Sequence, residues 1–158
     1  MAAEPKRKRG ELTIRAFLEA DAAAVTEILR TSPEASQWTE WGFQELLGWR
    51  GVLALVSEDD REVTGFLIGR ELAGEAEILN LAVLVAKRRR GEGTALLETA
   101  MDELRARKVS RVFLEVRESN AAGTAFYEKQ GFSKSGRRAG YYRNPDEAAI
   151  RMERSLAG

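Results

Sequence analysis

Two stretches of the chain carry residues whose types and spacing could do chemistry. In the first, from Lys87 to Thr94, three consecutive arginines precede Gly91 and Gly93 at the start of a helical pattern. Glycines at this point leave backbone N–H groups uncovered, and those donors together with the helix dipole form an anion site suited to a pyrophosphate. On its own, the pattern fits equally well a basic turn whose glycines allow tight packing.

The second stretch combines a carboxylate with a phenol. Glu115 interrupts an apolar strand pattern from Val112 to Val116, and Tyr127 lies on the helical pattern that follows. If the carboxylate faces a cleft, burial raises its pKa toward the range useful for a general base, and a well-placed tyrosine can act as a general acid. The simpler alternatives are a glutamate that faces solvent or pairs with Arg117, and a tyrosine that only packs in the core.

The amino-acid composition limits which other chemistry is open to the chain. Its 158 residues include no cysteine and no histidine. These absences exclude a disulfide framework, a thiolate metal site, a cysteine nucleophile and a serine–histidine–aspartate triad. Proton transfer must therefore use a carboxylate, a tyrosine, a lysine or water. We expect no bound metal.

Hydrophobic periodicity predicts the elements that must position these residues. Strands are predicted at 12–17, 52–56, 62–70, 77–86, 111–116, 132 onward and 147–156. Helices are predicted after Asp21 as a cap, at 39–47, after Gly93, and from a cap at Ser119 or Asn120 to Gln130. The order β-α-α-β-β-β-α-β-α-β-β indicates an α+β fold with helices on a largely antiparallel sheet.

Charge is distributed unevenly along the chain. Residues 1–10 hold four of the 25 bases and one of the 25 acids, which leaves 21 bases and 24 acids in the remainder. We interpret 1–10 as a basic N-terminal tail, solvated or in contact with nucleic acid, and 11–158 as a single domain. The net negative charge of that domain argues against direct nucleic-acid binding.

Without a signal segment or an apolar run of roughly 18 residues, we expect a cytoplasmic protein with no membrane contact.

Two motifs occur together in the chain, Arg88-x-x-Gly91-x-Gly93 and Asn120-x-x-Gly-x-Ala-x-Tyr127-x-x-x-Gly131-Phe132. Their pairing resembles the GNAT acetyltransferase superfamily. The sequences of the segments 78–83, 114–120 and 140–142 are also similar to those of the ribosomal-protein-alanine N-acetyltransferase (RimI) group. The resemblance spans nearly the whole chain and is densest from 77 to 152.

The resemblance implies a fold and a site. The fold is a GNAT-type acyl-CoA N-acyltransferase fold, a mixed and mostly antiparallel sheet with a splayed central parallel pair and helices on both faces. Acetyl-CoA is the implied cosubstrate, with Glu115 as base, Tyr127 as acid and Asn120 on the pantetheine side. The other implied cofactor contacts come from Leu81, Ala82, Val83, Arg88, Arg89, Arg90, Gly91, Glu92, Gly93 and Thr94.

Aromatic residues in two regions are candidates for the acceptor groove. Trp38, Trp41 and Trp49 lie close together in the early helical region, and Tyr141 and Tyr142 precede the last strand. In the implied fold these regions flank the acceptor, so we assign Trp41, Tyr141 and Tyr142 to substrate binding. The alternative for each tryptophan is to fill the core beneath the first helices.

These features predict an N-acetyltransferase that moves an acetyl group directly, in a ternary complex, to the N-terminal alanine amine of a small-subunit ribosomal protein. A weak carboxylate base suits an α-amine of pKa ~7.7–8.0 better than a lysine amine of pKa ~10.4. The alternatives are the same chemistry on another protein N-terminus, a lysine or a small-molecule amine, and a non-catalytic acyl-CoA-binding regulatory module. We expect a monomer or a homodimer.

Overall fold

The computed structural model describes residues 12–88, 90–143 and 145–156. The predicted basic tail at 1–10 and Arg89 lie outside the described residues. The elements follow the predicted order: β1 (Leu12–Ala16), α1 (Ala22–Arg30), α2 (Glu40–Leu46), β2 (Val52–Asp59), β3 (Glu62–Leu72), β4 (Glu75–Val83), α3 (Glu92–Ala106), β5 (Arg111–Arg117), α4 (Ala121–Lys129), β6 (Ser133–Tyr142) and β7 (Glu147–Ser155).

The seven strands form one sheet in the order β1-β2-β3-β4-β5-β7-β6. Every neighbouring pair is antiparallel except β4 and β5, which run parallel. The parallel ladder joins only Glu75–Ile78 to Arg111–Leu114, although both strands continue beyond it. The strands therefore diverge after this short ladder, and the predicted splayed parallel pair is confirmed.

Helices cover both faces of the sheet. On one face, the apolar stripe of α3 packs with inward residues of β5 and with Tyr127 and Phe132, which flank the end of α4. On the other face, α1 and α2 pack against β3 through Phe43 and Phe66, whose rings meet edge to face with centroids 5.5 Å apart. Because strand residues alternate between faces, each residue of β5 belongs to one layer or the other.

Two local predictions differ from the structure. Asp21 precedes α1, but its side chain does not cap the helix. Instead its carboxylate accepts hydrogen bonds from the Leu18 backbone at 2.7 Å and from Arg15 at 2.8 Å. Burial opposes the ionisation of Asp21, yet these hydrogen bonds outweigh burial and hold its pKa below the usual value. The strand predicted at 52–56 is also too short, because β2 continues to Asp59 and the positive-φ turn residues are Asp60 and Arg61.

Among the described helices, none combines the length and the apolar character needed to cross a membrane.

Candidate active site

The divergence of β4 and β5 opens a gap in the centre of the sheet. Beyond Ile78, the edge of β4 that faces β5 has lost its partner strand, while its other edge stays paired with β3 as far as Val83. Peptide groups along such an edge can hydrogen-bond an extended ligand as an added strand would. Leu81, Ala82 and Val83, the cofactor contacts that the resemblance implies, lie along this edge. The Val83 carbonyl already accepts a hydrogen bond from Arg88 Nε at 3.1 Å.

The N-terminus of α3 lies directly after this gap. Gly91 precedes the helix with φ of 77°, a left-handed conformation that favours glycine, and open space surrounds the position that a Cβ would occupy. The first-turn N–H groups of Glu92, Gly93 and Thr94 have no acceptor within the helix, so they form the anion-binding end. Gln130 donates to the Thr94 hydroxyl at 3.1 Å and thereby joins α3 to the end of α4.

Arg88 has other partners than the sequence suggests. Its main-chain N–H donates to the Val85 carbonyl at 3.3 Å, and its guanidinium binds the loop between α1 and α2. There, Nη2 donates to the Ser32 hydroxyl at 3.1 Å and pairs with Glu34. Arg88 thus connects the segment before α3 to the loop between α1 and α2, whereas Arg90 is exposed beside the helix N-terminus.

Glu92 and Asn120 also use their side chains for local structure. The Glu92 side chain turns inward and is only 4% exposed, so this residue can offer a cofactor only its main-chain N–H. Asn120 Oδ1 accepts from the Gly123 N–H at 2.8 Å and caps α4. The prediction of a cap at Ser119 or Asn120 is confirmed for Asn120.

Glu115 lies on the face of β5 opposite α3 and α4, because its neighbours Leu114 and Val116 belong to the core that those helices cover. One carboxylate oxygen is 3.5 Å from Arg138 Nη1. The other oxygen is buried and has no hydrogen-bond partner within the described part of the chain. A buried acceptor without a partner is costly unless water or a ligand satisfies it. The alternative pairing with Arg117 is wrong, since Arg117 pairs with Glu147 at 3.4 Å.

Tyr127 occupies the other side of β5. Its ring meets those of Phe126 and Phe132 edge to face, with centroids 5.1 and 5.7 Å away. Burial raises the pKa of Tyr127 well above the usual value for a phenol, and nearby Tyr142 adds to the rise. The hydroxyl therefore keeps its proton at neutral pH, which is the state that a general acid needs.

Tyr142 interacts electrostatically with both candidate catalytic residues, Glu115 and Tyr127. Burial first, and then the Glu115 carboxylate, raise the pKa of Tyr142 to about 12. Tyr142 also contributes to the raised pKa of Tyr127, so it is electrostatically coupled to both residues. A group placed in the gap between β4 and β5 could reach the Glu115 face and the Tyr127 face of the sheet.

Glu77 and Arg138 belong to the same region, and the sequence prediction missed both. Glu77 pairs in register with Phe113, which places it on the same face as Glu115. Burial and the Glu115 charge raise the pKa of Glu77, whereas Arg138 and Arg151 oppose that rise. The only signal in the sequence was a charged residue at the start of an otherwise apolar central strand.

The aromatic residues predicted to bind the acceptor lie in two places, Tyr141 and Tyr142 at the end of β6 and Trp41 on α2. Tyr141 is 47% exposed and packs against Tyr142, with ring centroids 5.0 Å apart. The pairing of β6 with β7 is irregular between Arg138 and Tyr142, which moves Tyr141 out of the regular ladder. Trp41 is 70% exposed on α2.

The other two tryptophans have separate partners. Trp38 packs edge to face on the core residue Phe43, whereas Trp49 lies under Arg70. The described ring contacts include none between two tryptophans. Trp38 therefore packs against the core, which is the alternative to a place in the acceptor groove.

The residues present fit a coenzyme A thioester. The unpaired edge of β4 suits an amide-containing arm, the α3 N-terminus suits a diphosphate, and the unpartnered Glu115 oxygen suits a proton donor on the acceptor. The described residues contain no group of three or more acidic side chains arranged to hold a metal ion.

Residues 22–132 match the acetyltransferase (GNAT) family. Together with the splayed parallel pair and the glycine-containing α3 N-terminus, this match defines the class: the chain belongs to the GNAT acetyltransferase family.

Three individual proteins that are similar to this chain add detail to the family assignment. The chain is 41% identical over 108 residues to the [ribosomal protein bS18]-alanine N-acetyltransferase of Salmonella typhimurium, covering 68% of this chain and 72% of the relative. The crystal structure of the ribosomal-protein-S18-alanine N-acetyltransferase from Escherichia coli is similar with a TM-score of 0.83 and 33% identity, covering 94% of this chain and 96% of that one. An N-alpha-acetyltransferase of Saccharolobus solfataricus is 30% identical over 96% of this chain and 97% of its own length.

Proposed function

We propose that this protein transfers the acetyl group of acetyl-CoA to the N-terminal alanine amine of the bacterial ribosomal protein bS18, in the cytoplasm. The observation that carries the proposal is the gap between β4 and β5, which has Glu115 on one side and Tyr127 on the other. The identity of the acceptor is supported by the relatives that act on the same ribosomal protein.

The cofactor would lie along the gap. Acetyl-CoA supplies an activated thioester, whose leaving group is a thiolate. The first-turn N–H groups of α3 bind the diphosphate, with Arg90 adding positive charge nearby. Peptide groups at Leu81–Val83 bind the extended arm. Because these donors belong to the backbone, they are oriented before the cofactor arrives.

Glu115 accepts the proton of the acceptor amine in this proposal. Its unpartnered oxygen is the place where an ammonium group or a bridging water would bind. An α-amine of pKa ~7.7–8.0 is already partly neutral at pH 7, whereas a lysine amine costs about 3.5 kcal/mol more to deprotonate. A single carboxylate therefore favours an N-terminal amine.

Tyr127 donates a proton to the departing thiolate. Its raised pKa keeps the phenol protonated, and its buried ring holds the hydroxyl at a fixed position. The chain has no cysteine that could carry an acetyl group. We therefore propose direct transfer within a ternary complex, with both substrates bound together.

A second candidate is acetylation of N-termini on proteins other than bS18. The archaeal N-alpha-acetyltransferase favours it, because that relative aligns along 96% of this chain, against 68% for the Salmonella relative. Both candidates share the cofactor site and the acid–base pair, and they differ in the groove beside Tyr141 and Tyr142.

Mass spectrometry of acceptor peptides after incubation with acetyl-CoA tests the proposal. We expect a single added acetyl group on a peptide carrying the alanine N-terminus of bS18. The same peptide with a blocked N-terminus and an internal lysine should remain unmodified. Equal modification of peptides with serine or methionine at the N-terminus would support the second candidate. Cofactor binding without transfer to any amine would contradict both and indicate a non-catalytic acyl-CoA-binding module.

A further inference from the structure

We propose that Glu92 is a positioning residue for the cofactor, acting through a buried clamp made of Glu92, Ser57 and Thr64. The clamp would fix the direction of the α3 N-terminus relative to the sheet before the diphosphate binds. This inference rests on the proposed use of acetyl-CoA. It assigns to Glu92 a role in orienting the binding groups rather than in contacting the ligand.

The clamp consists of three polar side chains in the interior of the protein. Ser57 and Thr64 are both fully buried, and Glu92 is 4% exposed. The Ser57 hydroxyl donates to Glu92 Oε1 at 2.6 Å, and the Thr64 hydroxyl donates to the same oxygen. Hydrogen bonds to a charged acceptor are stronger than those between neutral groups, especially away from water.

The sheet is shaped locally to present these hydroxyls. Ser57 pairs with Gly65 and Glu58 pairs with Val63, so Thr64 is an extra residue in β3. Such a bulge redirects a side chain, and here it directs Thr64 toward α3. A Cβ on Gly65 would lie 2.6 Å from the Ser57 hydroxyl oxygen, so only glycine leaves room for that oxygen.

Thr64 holds both ends of the segment between β4 and α3. Its backbone carbonyl accepts from the Leu84 N–H at 2.8 Å, where the segment begins, and its hydroxyl binds Glu92, where the helix begins. Between these points, Lys87 Nζ donates to Asp59 Oδ2 at 3.1 Å. The segment that presents the anion-binding N–H groups is therefore fastened to the end of the β2–β3 hairpin.

Packing alone does not require a carboxylate at this position. An apolar side chain could fill the same volume without the cost of burying a charge. The carboxylate instead orients the first turn of α3, because its hydrogen bonds fix the rotation of that turn relative to the sheet. Affinity gained by such preorganisation is lost when the binding groups must be ordered during binding.

The test uses Thr64→Val, which removes the hydroxyl at nearly constant volume, and Glu92→Gln. We measure the KM of acetyl-CoA, the KM of the acceptor peptide, and CoA affinity by calorimetry. About a fivefold to tenfold loss in affinity for CoA and acetyl-CoA is expected. Thr64→Val removes one hydrogen bond, and Glu92→Gln replaces the carboxylate that accepts both bonds by an amide, a weaker acceptor that brings two extra N–H donors into the interior. The acceptor KM and kcat should change less than twofold. Thr64→Ser should restore the wild-type values, and Glu98→Gln, at an exposed position of the same helix, is the matched control.

Hydrogen exchange of the ligand-free protein provides a second readout. Both clamp variants should exchange the amides of 91–95 faster while the strands stay protected. Unchanged CoA affinity in folded Thr64→Val and Glu92→Gln would overturn the clamp while leaving the proposed function intact. Loss of affinity in proportion to lost global stability, with Thr64→Ser no better than Thr64→Val, would also overturn it. If wild-type protein binds no CoA, the proposed function itself fails.

Discussion

The two sides of the gap between β4 and β5 are built differently. On the proposed cofactor side, the groups available for binding are backbone N–H and C=O groups, and buried hydrogen bonds hold the segment that carries them. On the proposed acceptor side, they are charged and aromatic side chains from four strands: Glu77, Glu115, Arg138, Tyr141, Tyr142 and Arg151.

This difference separates recognition of the cofactor from recognition of the acceptor. The backbone groups of β4 and of the α3 N-terminus, here called the backbone cradle, suit any ligand with a diphosphate and amide groups, whatever the acceptor is. The acceptor face can change with single side chains, because its charges sit on adjacent strands and influence one another. We therefore expect changes on the cofactor side to alter acetyl-CoA parameters alone, and changes on the acceptor face to alter acceptor parameters and pH dependence.

Tyr127→Phe should cause the largest loss. It removes one hydroxyl and keeps the ring that packs on Phe126 and Phe132, so the thermal stability should stay close to that of wild type. Loss of a placed general acid lowers turnover by about 10²–10⁴-fold. Steady-state kinetics should show this fall in kcat with the KM of acetyl-CoA unchanged. Wild-type turnover in this variant would remove Tyr127 from the mechanism.

Glu115→Gln should lower kcat/KM for the acceptor by about 10²-fold, because the amine loses its proton acceptor. The acidic limb of the pH–rate profile should disappear as well. Glu118→Gln is the control: Glu118 is a neighbouring surface residue paired with Arg137. An intact acidic limb in Glu115→Gln would assign the base to another group, and Glu77, which lies on the same face of the sheet, is then the first to test.

Gly91→Ala tests the cofactor side. Alanine at a φ of 77° costs about 1–2 kcal/mol, although no atom lies near the added Cβ. Gly74→Ala is a matched control, since Gly74 has a φ of 83° and equally open space in the β3–β4 hairpin. Thermal melts should show similar destabilisation for both. Only Gly91→Ala should also raise the KM of acetyl-CoA, by about fivefold, because the N–H groups beside Gly91 then lose part of their preorganisation. An acetyl-CoA KM equal in both variants would show that the turn at Gly91 takes no part in cofactor binding.

The same contrast explains what the sequence could predict. The element order and the α3 N-terminus depend on local signals, namely hydrophobic periodicity and glycine spacing, and the structure confirms them. Glu77 could not be assigned, because its proximity to Glu115 depends on the register of two strands far apart in the chain. The role of the Glu92 side chain could not be predicted either, because its partners, Ser57 and Thr64, belong to a distant hairpin.

The partner of Glu115 was missed for a similar reason. Arg117 is two residues away in sequence, but it pairs with Glu147 at the start of β7. Arg138 reaches Glu115 from β6, a strand that is separated from β5 by β7. Charges that meet across three strands leave no local signal in the sequence.

Arg138→Met should have the smallest effect, and it tests how the acceptor face sets its pH range. The side chain of Arg138 is 57% exposed, so its pair with Glu115 contributes little to stability. Its charge nevertheless lowers the pKa of Glu77, which burial and Glu115 raise. Without that charge the pKa of Glu77 rises further, so the carboxyl keeps its proton to higher pH.

The pH titration of Glu77, followed by NMR, should consequently move to higher pH in Arg138→Met, and kcat/KM for the acceptor should fall by about two- to fivefold at pH 7, the size expected from an exposed charge. Arg137→Met is the matched control, because the neighbouring Arg137 pairs with Glu118. If both variants shift the titration equally, net charge is responsible. A shift confined to Arg138→Met shows that the acceptor face works as one set of coupled charges, in contrast to the backbone cradle across the gap.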